Sequence, residues 1–186
     1  DSSGTTWTFT YYLDQVSKAW HDNMKGVKID KATGEILEVK EKAYDKAIKW
    51  SDDSLGAKGN EGVATTVKST EFSIGYVEFA YALTNELSTV KMQNRDGAWV
   101  TPAIESFQEA AAAQDWSGAG EALVPVNQTG SKTWPIVGVS FILIHKEQAD
   151  PVVALEMLKY FDWCFASGAA AAEELHYVPI PASVTD

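Results

Sequence analysis

Cysteine is nearly missing from this 186-residue chain: Cys164 stands alone, which excludes an intrachain disulfide and any metal cage built from cysteines. It sits inside the apolar run LKYFDWCFA, where it reads as a buried structural thiol. Histidine is almost as scarce, and His21, His145 and His176 lie far apart with no metal-ligand spacing. Positive charge is short as well. Fifteen Lys and Arg stand against 26 Asp and Glu, a net charge of −11 with no basic stripe. Nucleic acid is therefore not an expected partner, because affinity for phosphate backbones comes from clustered cations that release counterions. No apolar run approaches the ~18 residues of a bilayer span. No G-x-S-x-G elbow or Ser/His/Asp set stands out either.

What is there is a core. The chain is 45% hydrophobic, with seven Trp, seven Tyr and seven Phe, so large aromatic contacts should dominate the packing of one domain or two small lobes. In DSSGTTWTFTYYL, Ser3 stands at a helix N-cap and the stripe Phe9, Leu13, Val16 and Trp20 follows, predicting a helix from Thr5 to His21. Val27 to Ile29 and Ile36 to Val39 flank KATG as a β-hairpin. GAKGNEG spaces Gly56, Gly59 and Gly62 like a phosphate loop but lacks the Gly-Lys-Ser/Thr ending, so it reads as a tight turn before a helix over Asn60 to Ser69. SIGYVEF reads as a buried strand, FAYALTNE as a short helix, and Asp96-Gly97 as a turn between two strand-like pieces. Thr101 and Pro102 are a cap and first-turn pair for AIESFQEAAAA, and residues 116–133 look irregular. WPIVGVSFILIH has the continuity of a central strand covered on both faces. Asp150 and Pro151 open a long helix with the stripe Ala154, Leu158, Phe161 and Phe165, stopped near Gly168. AAAAEEL, a short helix, and the extended HYVPIPASV follow. Alternation of helices with buried strands gives an α/β class with a largely parallel sheet.

Chemistry concentrates at the start of the first helix. SSGTT offers several hydroxyls and consecutive N–H groups where the macrodipole favours negative charge, a set able to replace the hydration shell of a tetrahedral oxyanion. On spacing alone, plain capping is the commoner use of such residues. The paired acids Asp52-Asp53 and Glu173-Glu174 look solvated or capping. Residue by residue, a binding protein fits better than an enzyme, and no cofactor or metal is expected.

Four segments in order, DSSGTTWTFTYYL, GAKGNEGVATTVKSTEFSIGYVEFAYA, WPIVGVSFILIHKEQ and LKYFDWCFASGAAAAEELHYVPIPASV, resemble the second half of the substrate-binding protein of the bacterial high-affinity phosphate ABC transporter. Only the stretch from Lys25 to Lys46 departs, being longer than the family's usual connection, as a lineage-specific hairpin. The resemblance implies an α/β type II periplasmic binding protein, two lobes joined by a hinge and closing on one phosphate ion, here a fragment lacking the N-terminal segment and cut just before Asp1. Residues 1–133 would form most of the second lobe, and residues 134–186 would cross the hinge and complete the first. The family motif Arg-x-Asp-x-Ser-Gly-Thr supplies the second lobe's phosphate contacts, and its tail falls on Asp1, Ser3, Gly4 and Thr5. By that mapping Ser3 and Thr5 donate through hydroxyl or backbone groups, Gly4 donates through its N–H, and Asp1 orients an arginine two positions upstream.

That arginine, and the aspartate that accepts the proton of hydrogen phosphate, would lie outside these residues, and with them the selectivity against other oxyanions. Expected partners are inorganic phosphate, an ABC transporter permease and a companion chain or segment carrying the N-terminal half. The place would be periplasmic or extracellular, with possible membrane anchoring through the missing part. Two rival readings stand beside it: a phosphate-monoester hydrolase using Ser3 as nucleophile, and a ligand-free interaction protein on the same scaffold, docking through the added hairpin.

Overall fold

Ser3 begins the first helix because its extended backbone (φ −131°, ψ 133°) lets the side chain turn back as a cap, with Ser3 Oγ accepting from Thr6 N–H at 3.4 Å. Helix α1 covers Gly4–Val16. A single helix to His21 does not form. The backbone extends at Ser17 (φ −126°, ψ 104°), whose N–H still reaches Leu13 O while its Oγ accepts from Trp20 N–H at 3.1 Å to open α2, Lys18–Met24. One serine thus stops one helix and starts the next, since its side chain competes with the backbone ladder. This computed structural model describes residues 2–24, 26–29, 36–40, 42–118, 123–181 and 184.

The hairpin expected after α2 is present, β1 (Gly26–Ile29) pairing antiparallel with β2 (Ile36–Lys40) and slipping register after Lys28. Its turn, with Lys25 and residue 41, lies outside the described residues. The glycine loop ends as expected in a turn before a helix: Gly59, at φ +67°, opens α3 (Gly59–Ser69), and α4 (Phe79–Thr84) follows. Strands β3 (Met92–Gln93) and β4 (Trp99–Val100) flank the Asp96-Gly97 turn, where Gly97 takes φ +82°. Helix α5 (Ile104–Ala113) is capped differently from expectation. Its N-cap is Ala103, which has no acceptor of its own, and Ser106 Oγ instead accepts from Ala103 N–H at 3.0 Å, leaving Thr101 and Pro102 ahead of the helix. Asp150 caps α6 (Pro151–Ser167) by accepting from Val152 and Val153 N–H, and α7 (Ala169–Glu174) follows Gly168.

Neither long apolar segment becomes a strand. Residues 71–78 and 134–145 run without strand pairing, so the parallel sheet expected from alternation is replaced, among the described residues, by two antiparallel pairs. A central strand needs hydrogen-bonding neighbours along both edges and cover on both faces, whereas here contact is local, as where Tyr76 packs on Phe9 and Trp134 N–H reaches Ser106 O, and most of both segments lies exposed. Phe72 is 97% exposed, Ile74 83% and Leu143 94%. The stripe on α6 is likewise uncovered: no residue of that helix is buried, and Leu158 and Phe165 face out. Cys164, expected inside, is half-buried for the same reason.

Packing is strongest around α1 and α5. Phe9 stacks on Tyr76 with centroids 4.5 Å apart, Trp50 joins them, and Trp20 Nε1–H donates to Ala43 O at 2.8 Å. Phe107 meets Phe79 and Trp134 edge-on beside the fully buried Ala110. One polar residue pins the second cluster. Asn94, buried, donates through Nδ2 to Gly130 O and Thr133 O, and its Oδ1 accepts from Asp96 and Ala98 N–H. Asn94→Ala strips these groups of partners and should destabilise the fold by about 3 kcal/mol, given ~1–3 kcal/mol for each buried group left unsatisfied. A urea midpoint equal to that of the parent would contradict this assignment.

Candidate functional site

The sequence directs attention to the head of α1, and the structure shows how that head is held. Ser3 N–H donates to Lys46 O at 2.9 Å, fixing the cap to the segment 42–50. About two turns later, the fully buried Thr10 Oγ1 accepts from Asp45 N–H at 3.2 Å, so two neighbouring backbone positions grip one side of the helix. On the other side Thr6 Oγ1 lies 2.8 Å from Tyr76 OH. Gly138 passes close to Thr8, with a side chain there set to meet the threonine hydroxyl at 3.5 Å.

Three helix starts converge at this place. Thr5 Oγ1 donates to Glu78 Oε1 over a long 3.5 Å, and Glu78 N–H donates to Asn60 Oδ1 at 3.1 Å. Thr5 belongs to the first turn of α1, Asn60 to that of α3, and Glu78 occupies the N-cap position of α4. First-turn N–H groups have no acceptor within their own helix, and each macrodipole points its positive end outward there. Gly4 is exposed, and a Cβ added to it would touch nothing within 4 Å. Packing therefore does not require a glycine at this position. The bare Cα leaves room for a ligand to approach the N–H groups of Gly4 and Thr5.

Ser3, Gly4 and Thr5 are thus brought to one exposed helix tip, as their spacing predicts, while Asp1 lies outside the described residues. Glu78 and Tyr177 are hidden in the sequence, because SIGYVEF reads as a buried strand and HYVPIPASV as a plain extended end. An acid immediately before a helical run was the signal for Glu78. Its charge, helped by partial burial and by Tyr81, pushes the Tyr177 hydroxyl above the ordinary tyrosine range. His21 pairs with Asp14 at 2.5 Å near the far end of α1. Among the described residues no group of three or more His, Cys, Asp or Glu gathers to hold a metal.

The exposed tip of α1 sets the Ser3 and Thr5 hydroxyls on either side of Gly4, and similarity to known proteins gives the class. A family profile described as the PBP superfamily domain matches residues 1–167, and the chain belongs to that superfamily. Among named relatives, the phosphate-binding protein PstS of Haemophilus influenzae is 43% identical over 185 residues, 99% of this chain and 50% of the relative. PstS of Xylella fastidiosa (strain Temecula1) is 42% identical over 182 residues, 97% of this chain and 45% of the relative. The archaeal PstS of Methanocaldococcus jannaschii is 27% identical over 183 residues, 90% and 42%. The chain spans about half the length of the curated relatives it matches.

The Glu78–Tyr177 pairing has a measurable signature. The native state holds the Tyr177 proton more tightly than the unfolded chain does, so this group's contribution to stability is intact below the usual tyrosine pKa and lost as pH rises through its raised native value. In a pH titration followed by tyrosinate absorbance, Glu78→Gln should return one tyrosine to a lower midpoint. An unchanged titration curve would mean that Glu78 does not face Tyr177.

Proposed function

We propose that this chain is the half of an extracytoplasmic phosphate-binding protein that contributes helix-tip donors to one inorganic phosphate ion, for delivery to an ABC transporter permease. The observation that carries the reading is the open head of α1, with Ser3 as cap, Gly4 without steric need for glycine, and Thr5 in the first turn. The relatives named phosphate-binding protein PstS support it across nearly the whole chain. Ser3, Gly4 and Thr5 donate to phosphate oxygens through N–H or hydroxyl groups, and Asp1 steadies a guanidinium supplied from upstream. Thr5 is easily withdrawn from Glu78, since that contact is long and exposed. Residues 1–133 form most of one lobe of a type II binding fold, and residues 134–186 cross the hinge to the other.

Polypeptide corresponding to the other half of the relatives completes the site and covers the apolar surface. Phe72, Ile74 and Leu143 are nearly fully exposed, and residues 71–78 and 134–145 have strand-like composition with backbone unpaired by strands. Patches of that kind mark contact with further polypeptide. Periplasmic or extracellular residence fits this role. Among the described residues no helix is long and apolar enough to cross a membrane. Hydrolysis by Ser3 gains no support, because its hydroxyl is engaged as the helix cap and the carboxylate of this network, Glu78, meets Thr5 instead.

Gly4→Ala tests the reading with little structural interference. The methyl meets no protein atom, and glycine to alanine within a helix stabilises by about 0.5–1 kcal/mol. A phosphate oxygen seated on the Gly4 and Thr5 N–H groups would collide with it. Calorimetric titration of the complete protein should show phosphate affinity reduced about tenfold or more, the ~1.4 kcal/mol or more of a lost charge-assisted bond. Its melting temperature should hold or rise. Equal phosphate affinity in parent and Gly4→Ala would remove the α1 tip from the binding site.

A further inference from the structure

The flank of α1, away from its tip, lines a cleft of about 590 Å³. Small-molecule sites run from about 300 to 1,000 Å³, so the space suits one ligand of modest size. Trp7 and Tyr11 form a wall, their rings stacked at 4.9 Å and 17°. Tyr44 meets both edge-on, at 5.5 and 4.9 Å. Lys42 Nζ stands 5.6 Å from the Tyr44 ring centroid, and Arg95, from the turn between β3 and β4, lines the cleft as well. The amide of Gln128 lines the space too, donating to Gln114 Oε1 at 2.9 Å.

Charge is the telling feature. Every ionic group lining this cleft among the described residues is a cation, Lys42 and Arg95, in a chain whose net charge is −11. Cations beside aromatic faces select an anion that also carries a flat ring: a guanidinium forks onto phosphate oxygens, while a π-face stacks on Trp or Tyr. Ser3, Gly4 and Thr5 do not line the cleft, so it is separate from the α1 tip.

We infer that this cleft binds a ring-bearing organic phosphate monoester of nucleoside monophosphate size, its base against the Trp7, Tyr11 and Tyr44 cluster and its phosphate on Arg95 and Lys42. This does not depend on the phosphate site proposed above. Calorimetric titration of the protein with AMP should show saturable binding that Arg95→Gln weakens about tenfold, as expected for one charge-assisted contact, and that adenosine does not reproduce. Arg95 is exposed, so this variant keeps the fold, with circular dichroism as the check. Gly4→Ala, whose methyl meets no protein atom, should leave AMP affinity unchanged. Absence of saturable AMP binding at millimolar concentration, equal affinity in Arg95→Gln, or loss of AMP binding in Gly4→Ala would each overturn the inference.

Discussion

The proposed function depends on one feature, the backbone N–H dipoles at the exposed head of α1. A helix start normally spends its free donors on its own cap or on water. Here Ser3 Oγ caps Thr6 N–H, and the Ser3 N–H is tied to Lys46 O, so the next groups along, at Gly4 and Thr5, are left at an exposed tip. Rigidity comes from the aromatic packing beneath. Phe9 on Tyr76, Thr6 beside Tyr76 and Thr10 against Asp45 fix the helix axis, and with it the direction of the dipole. An acidic chain can bind an anion at such a point, because local oriented dipoles and charge-assisted bonds set affinity while net charge governs solubility and encounter.

Surface hydrophobicity is the second constraint, and it tells the same story from another side. The residues with the strongest strand-like character are among the most exposed, with Phe72, Ile74 and Leu143 facing out and α6 burying no residue. Under the proposed function, polypeptide corresponding to the other half of the relatives covers them. Well-packed ground and bare ground therefore divide along the chain. The α1, α3 and α5 region carries buried contacts, and the α6–α7 region carries none among the described residues.

How much was legible beforehand follows from where the controlling interactions lie. Local ones could be read directly: the Ser3 and Asp150 caps, the Gly59 and Gly97 turns, the β1–β2 hairpin and the stop at Gly168 all depend on residues a few positions apart. Non-local ones could not. A run such as WPIVGVSFILIH reads as a strand only if neighbours exist to pair with it, and composition does not say whether they do. The helix break at Ser17 was hidden because the apolar stripe continues through it, and only the serine's double hydrogen bonding reveals the stop. At the site, Ser3, Gly4 and Thr5 were visible as a motif. Glu78 and Tyr177 come from far along the chain, and their approach to each other is a fact of tertiary structure.

Amide-resolved NMR of the uniformly labelled complete protein, titrated with inorganic phosphate, addresses the central claim most directly. The account predicts that the Gly4 and Thr5 N–H resonances move downfield and saturate together, as donors do on meeting an oxyanion, while amides of α7 stay in place. Saturable phosphate binding that leaves both of those resonances unmoved would contradict it.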